Sequence, residues 1–395
     1  MALQNELETV FHWFHQHPEL ALNETETTKR IKEELSRIDG VELLDLGLPT
    51  GALARVTGNS SGPVVLLRAD IDALPITEAT DLSYRSQHEG KMHACGHDFH
   101  TTCLLGVARI LAEEREKING TVLLLFQPAE EDSHGAGRVV GTGLFKTYPI
   151  KQVFGLHVSG LYPVGTIAVC DGPFSAAVDR YTYTVTGVGC HGAHPDLGLD
   201  PIVATSRLVT SLQEIVSRKV KAGVPAVVSV TRFTSGTSWN IIPKSAELEG
   251  TVRTFDPAVR DLVKQAMEAK GKGLEAEGYH VDFQWVDGCP ASNNDPALTA
   301  MVRDLAKSQG FCRGGLSAFH GRGRLLLLPG NRPRFVLHAG YRPDRSRPQP
   351  DVRRRSRAVV PRGASSLHRG RRGRHEAFPC LSCSILISST TCSAR

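Results

Sequence analysis

Three short apolar runs, residues 64–68, 121–127 and 153–156, constrain this chain most. Each is strand-sized and nearly free of polar interruption, the pattern of strands covered on both faces in a parallel sheet. A helical segment from about 101 to 116 separates two of them, so strand and helix alternate as in an α/β domain. Ahead of them, residues from about 4 to 38 read as helix, broken around His17-Pro18-Glu19. Asn23 can cap the second piece, whose apolar positions include Ile31 and Leu35.

Near Asp171-Gly172-Pro173 the pattern changes. Residues 181–185, Tyr-Thr-Tyr-Thr-Val, alternate like a strand with one exposed face. A helix from about 201 to 218, strands near 226–233 and 246–254, and a helix from about 257 to 277 follow. That order fits a four-stranded antiparallel sheet with two helices, an α+β module inserted into the first domain. The chain is expected to return to that domain near Gly288-Cys289-Pro290. The expected division is therefore 1–171 plus 288–312 for the α/β domain, 172–287 for the insertion, and 313–395 as a separate stretch.

That last stretch differs in kind. It holds 18 Arg, no Lys and three acidic residues, a balance of +15, whereas the first 312 residues carry −10 within the chain's total of +5. Its Arg, Pro, Gly and Ser content follows no helical or strand period and looks like a GC-rich gene translated in a shifted frame from near 311–315. The first domain is then expected to lack its last strand and helix, leaving a sheet edge open. A basic arm of this kind can bind RNA through phosphates. It lacks the aromatic interleaving and folded reader motifs of dedicated binders, so no nucleic-acid partner is expected.

No run of 18 apolar residues is present, and the start, Met-Ala-Leu-Gln-Asn-Glu-Leu-Glu, has no basic segment before an apolar one. Neither a membrane span nor a secretory signal is expected. Nine scattered cysteines, an odd number, argue against a disulfide framework and for the cytoplasm.

The chemistry concentrates in Met92-His93-Ala94-Cys95-Gly96-His97-Asp98-Phe99-His100 and in Pro128-Ala129-Glu130-Glu131. Cys95 and His97 stand two apart just before a predicted helix. Glu131 and His157 each follow a predicted strand, and open α/β sheets bind ligands at the carboxyl edge of their strands. Thiolate, imidazole and carboxylate together suit Zn, Mn, Co or Ni without selecting among them. Taken singly, each residue has a commoner explanation: a buried filler thiol, a capping histidine, a solvated acidic loop.

In order along the chain stand His17-Pro18-Glu19-Leu20 with Glu24 and Thr27, then Arg68-Ala69-Asp70-Ile71-Asp72-Ala73-Leu74-Pro75, then His93 to Asp98. Gln127 to Glu131 and Leu156-His157 follow, and then Gly189-Cys190-His191-Gly192-Ala193-His194-Pro195, Asn240-Ile241-Ile242-Pro243 and Gly250-Thr251-Val252-Arg253. These segments resemble the M20 metallopeptidases, in the branch of hippurate hydrolases, N-acyl-amino-acid amidohydrolases and auxin-conjugate hydrolases. The resemblance implies a metallopeptidase-like catalytic domain with a mainly parallel sheet and an inserted dimerisation domain. It implies two divalent metal ions held by Cys95, His97, Glu131 and His157, with Glu130 as general acid and base and Asp72 in support. It further implies a homodimer in which His191 reaches the partner's active site to stabilise the oxyanion. Asn240 and Arg253 become candidates for binding the substrate.

The implied reaction is hydrolysis of the amide bond of N-acyl amino acids such as hippurate. A dipeptidase or carboxypeptidase, or a protein that keeps the fold and only binds such ligands, are the alternatives. The family's Gly-Gly-Glu-Asp-Phe-like segment and later His-x-Pro-like segment are missing; the chain has Gly314-Gly315-Leu316-Ser317-Ala318-Phe319 instead. One metal-ligating histidine is therefore unaccounted for, and nothing around His320 or His338 marks either as a replacement.

Overall fold

The computed structural model describes residues 2–132, 134–159, 162–315 and 334–340. Two helices, α1 (Ala2–Gln16) and α2 (Thr25–Ser36), precede β1 (Glu42–Leu44), β2 (Ala52–Thr57) and β3 (Ser60–Asp70). Then come α3 (His97–Glu113), β4 (Asn119–Gln127), α4 (Gly135–Gly141), α5 (Leu144–Thr147), β5 (Ile150–Ser159) and β6 (Thr166–Val169). Pro18 separates α1 from α2, since it cannot donate to the helical ladder. The expected cap at Asn23 does not form. Its side chain donates to Ala21 O, and the Glu19 carboxylate accepts the backbone N–H groups of Glu26 and Thr27 instead. A carboxylate at a helix start satisfies orphan donors and opposes the helix dipole, which explains the preference.

β3 lies between β4 and β5 and is parallel to both, while β2 joins β4 antiparallel at one side. Successive β4 side chains serve opposite faces. Val122, Leu124 and Phe126 join a core with Phe14, Ile31, Leu35, Leu105 and Leu111 from α1, α2 and α3. Leu123 and Leu125 join another with Val139, Leu144 and Phe145 from α4 and α5. Covering both faces accounts for the uninterrupted apolar run, each large buried side chain contributing roughly 1.5–3 kcal/mol.

The inserted part begins after β7 (Gly172–Pro173) with β8 (Ala177–Thr186), β9 (Cys190–His191) and α6 (Pro201–Glu214), the last continuing into a π-helical turn, Ile215–Lys219. Then follow β10 (Ala226–Ser235), β11 (Ile241–Ile242), β12 (Ser245–Thr254), α7 (Pro257–Glu275) and β13 (His280–Val286). Four of these strands form an antiparallel sheet in the order β10-β12-β8-β13, with Tyr181, Tyr183 and Val185 packed under the two helices. The chain comes back through β14 (Asn293–Asn294), paired with β7, into α8 (Pro296–Ser308).

The C-terminal stretch departs from expectation in part. β15 (Cys312–Gly315) pairs parallel with β6, and β16 (Arg334–Gly340) enters between β5 and β6, parallel to β5 and antiparallel to β6. The large sheet thus runs β1-β2-β4-β3-β5-β16-β6-β15. The overlooked signal is Phe335-Val336-Leu337, a short run of strand-favouring residues amid Arg and Pro. His338 falls in register with His157, whereas His320 lies outside the described residues. Among the described residues no helix is long and apolar enough to cross a membrane.

Candidate metal centre

Three neighbouring parallel strands end at one edge of the large sheet, and each delivers ligand-type residues there. β3 ends at Asp70 and leads to Asp72, and β4 leads into Pro128-Ala129-Glu130-Glu131. His157 belongs to β5 itself, two residues before its end, rather than to the loop beyond it. Cys95 and His97 flank Gly96, whose φ of +85° turns the chain into α3. A Cβ on Gly96 would lie 2.4 Å from Val158 Cγ2, so glycine lets this turn rest against β5. His97 is the first residue of α3, which starts four residues earlier than its apolar pattern suggests.

The four predicted ligands meet here. The ligand atoms of Cys95, His97 and His157 all lie within 4.8 Å of one another, as do those of His97, Glu130 and Glu131. Cys95 Sγ is 3.5 Å from His157 Nε2, and His97 Nε2 is 4.0 Å from Glu131 Oε1. His97 is common to both groups, and its Nδ1 lies 2.8 Å from Asp72 O, which accepts its proton. His97 Nε2 is buried and has no hydrogen-bond partner. A ring with one nitrogen anchored to a carbonyl and the other bare among thiol, imidazole and carboxylates has the arrangement of a metal ligand. His157 repeats it, with Nδ1 donating to Val158 O at 2.7 Å and Nε2 turned to Cys95. The donor set therefore fits a transition-metal ion.

Asp72 has a more definite place than the sequence suggests. Its Oδ2 accepts the Glu131 N–H at 2.7 Å while its carbonyl holds His97, so one residue orients two of the candidate ligands. Behind it runs a buried chain: Arg68 Nη1 donates to Asp70 Oδ2 at 2.6 Å, and His100 Nδ1 donates to Asp70 Oδ1 at 2.6 Å. His100 Nε2 in turn accepts Val158 N–H at 2.9 Å. These contacts tie β3, α3 and the end of β5 together, and no role for Asp70 or His100 was foreseen. Their sequence signal is their place in the segments Arg68–Pro75 and Met92–His100, Asp70 two before Asp72 and His100 three after His97.

Burial and charge compete across the cluster. Burial pushes the Cys95 thiol up, against the pull of His97. Burial would lower His97, but the Asp70 carboxylate, with Asp72 and Cys95, holds it well above the usual imidazole value. Burial would also raise Asp70, yet Arg68, His97 and His100 keep it well below the carboxylate range. His157 is pushed down to about 3, by burial first and then by the charge of His100. The Asp70 carboxylate thus favours a positive charge on His97, while burial and the neighbouring imidazoles disfavour one on His157.

The remaining predicted residues lie in the inserted part. His191 and Asn240 share a two-residue ribbon: His191 is in register with Ile241, and Gly192 N donates to Asn240 O at 2.8 Å. His191 is exposed, and Asn240 and Arg253 are half-buried. His191 Nδ1 accepts from Ala193 N and Asn240 Oδ1 from Ser238 Oγ, so their side-chain polar contacts stay within their own loops. Among the described residues of one chain, His191 belongs to none of the candidate metal-holding groups.

Comparisons with known proteins agree with this geometry. The profile described as peptidase family M20/M25/M40 matches residues 66–318. N-acetylcysteine deacetylase of Bacillus subtilis is 42% identical over 299 residues, covering 75% of this chain and 78% of the relative. Thermostable carboxypeptidase 2 of Saccharolobus solfataricus is 36% identical over 319 residues, covering 78% and 80%. Among solved structures, the Bacillus subtilis YXEP protein, described as a dinuclear metal-binding peptidase of the M20 family, superposes with a TM-score of 0.76. It is 38% identical, over 86% of this chain and 89% of that one.

Proposed function

Since this chain belongs to peptidase family M20/M25/M40 and is a metal-dependent hydrolase of amide bonds, we propose that its substrates are N-acyl amino acids, hippurate-like compounds among them. Two divalent metal ions serve the reaction, and we assign Cys95, His97, Glu131 and His157 to hold them. Bound there, the ions supply a lowered pKa for water and polarisation of the scissile carbonyl.

The chain's own groups do the rest. Glu130, grouped with His97 and Glu131 within 4.8 Å, accepts a proton from the attacking water and returns it to the departing amine. Asp72 keeps His97 and the Glu131 loop aligned. We assign His191, delivered by a second subunit, to donate to the oxyanion, where such a donor contributes about 2.7–4 kcal/mol. Its exposure, and its place outside the candidate metal-holding groups among the described residues of its own chain, support that assignment. Asn240 and Arg253 are assigned to the substrate. The division into 1–171 plus 288–312 and an inserted 172–287 belongs to the same reading. Sedimentation that shows monomers alone removes its dimer.

The observation that carries the reading is the buried His97 Nε2, which makes no hydrogen bond amid Cys95, His157 and the carboxylates of Asp70, Glu130 and Glu131. Five cysteines outside any disulfide among the described residues support a reducing, cytoplasmic setting. The test is Glu130→Gln in the full chain loaded with Zn, Mn, Co or Ni. Turnover of N-acetyl and N-benzoyl amino acids should fall by about 10²–10⁴-fold with bound metal unchanged. Retained turnover removes Glu130 from its role. The carboxypeptidase relative favours a second reading, cleavage of peptides; faster turnover of dipeptides than of acyl amino acids selects it.

A further inference from the structure

Among the described residues two that are not glycine adopt a left-handed backbone, Leu22 with φ +69° and Ala129 with φ +53°. An L-residue there is strained, and such strain persists only where surrounding contacts over-determine it. A single hydrogen bond links the two turns that hold them. Glu24, two residues after Leu22 and completely buried, accepts the Ala129 N–H on Oε1 at 2.7 Å across 105 residues of sequence. Ala129 is itself buried and immediately precedes Glu130 and Glu131.

The turn that presents Glu24 is rigidly placed. Asn23 N donates to Leu20 O, Leu20 bridges to Ala73, and Ala73 N donates to Glu19 O at 2.7 Å. The Glu19 carboxylate holds the start of α2, as described above. On the other side, Gly135 N donates to Ala129 O at 3.1 Å, and a Cβ on Gly135 would fall 1.9 Å from Pro128 O. Glu131 N donates to Asp72. Of these fastenings, Glu24 is the one that grips the strained residue's own N–H.

We propose that Glu24 is a positioning residue for the 128–131 loop: its carboxylate locks Ala129 in the left-handed turn and so sets the directions of Glu130 and Glu131. The assignment rests on the reading of Glu130 as base and Glu131 as ligand. It requires an acceptor at Oε1, not a charge, which separates it from a merely electrostatic part.

The experiment compares Glu24→Ala, Glu24→Gln and Glu130→Gln in the full chain, with Mn²⁺ titration, kcat and KM on an N-acetyl amino acid, and thermal melting. Glu24→Ala should weaken Mn²⁺ binding by about tenfold, the equivalent of the released backbone strain. It should also lower kcat by about 100-fold, the cost of a misplacement of about 1 Å, with KM changed far less. Glu24→Gln, which keeps the acceptor, should recover most of both losses. Should Glu24→Ala fail to fold, Ala129→Gly with Glu24→Ala supplies the comparison, because glycine takes the left-handed turn without the clamp and should restore folding and Mn²⁺ binding. Wild-type Mn²⁺ affinity and kcat in Glu24→Ala overturn the proposal, as does a Gln variant as damaged as the Ala variant. An active Glu130→Gln instead sinks the functional reading, and Mn²⁺ affinity still decides the clamp through Glu131.

Discussion

At the residue scale, what each buried imidazole does is set by the partners its two nitrogens find. His15 joins three segments: Nδ1 lies 2.6 Å from Asp98 Oδ2 at the start of α3, and Nε2 lies 3.2 Å from Glu78 Oε1. Burial alone would lower its pKa, but hydrogen bonds and charge from Asp98 and Glu78 raise it. A raised histidine contributes stability that is full below the unfolded value of about 6.5 and is lost as pH rises through the folded value. His15→Gln is therefore expected to cost about 3 kcal/mol near pH 6 and distinctly less near pH 9. Urea melts at both pH values check this, and equal losses would show that the ring acts as a neutral hydrogen-bonding group. His93 is the opposite case: neither nitrogen has a hydrogen-bond partner, and burial lowers it to about 4. Cys95, His97, Glu131 and His157 could be singled out as candidates because donor chemistry belongs to the side chain. The parts of Asp70, His100 and Glu24 were not legible, because each depends on a partner more than 25 residues away.

At the scale of elements, local chemistry set most boundaries. Three helices begin with Asp followed by Pro: Asp200 before α6, Asp256 before α7 and Asp295 before α8. In each the Asp side chain accepts from the first turn, and proline fills a position that needs no donor. Two of these starts were expected, and the same signal marks α8, which was passed over. The turn between Cys95 and α3 is less forgiving. Gly96→Ala is expected to cost about 1–2 kcal/mol for the left-handed backbone alone. The added Cβ also meets Val158, so Co²⁺ affinity should fall by at least about tenfold. Titration followed by thiolate-to-cobalt absorption reads this directly; an unchanged spectrum and affinity would mean that the turn adapts without moving Cys95.

At the scale of the whole molecule, the proposed metal centre joins α3 to the ends of three strands, so a bound ion should stabilise the α/β part as a unit. At free metal 100-fold above Kd the gain is about 2.7 kcal/mol, and for a unit of this size that corresponds to roughly 5–10 °C in Tm. Chelation should lower the melting temperature by that amount and re-addition restore it; an insensitive melt would mean that the ligands are already locked without metal. The sequence by itself determined the alternation of strand and helix, the antiparallel insertion and the donor types of the site. Those follow from side-chain polarity, periodicity and capping, which act within a few residues. Only the tertiary structure decided that β16 lies beside β5, that His97 presents a bare Nε2, and that Glu24 grips Ala129. Cys95 and His157 are 62 residues apart and Glu24 and Ala129 are 105 apart. Which distant groups meet is settled by burial of the shared core, because a hydrogen bond forms only after packing has brought its two ends within about 3 Å.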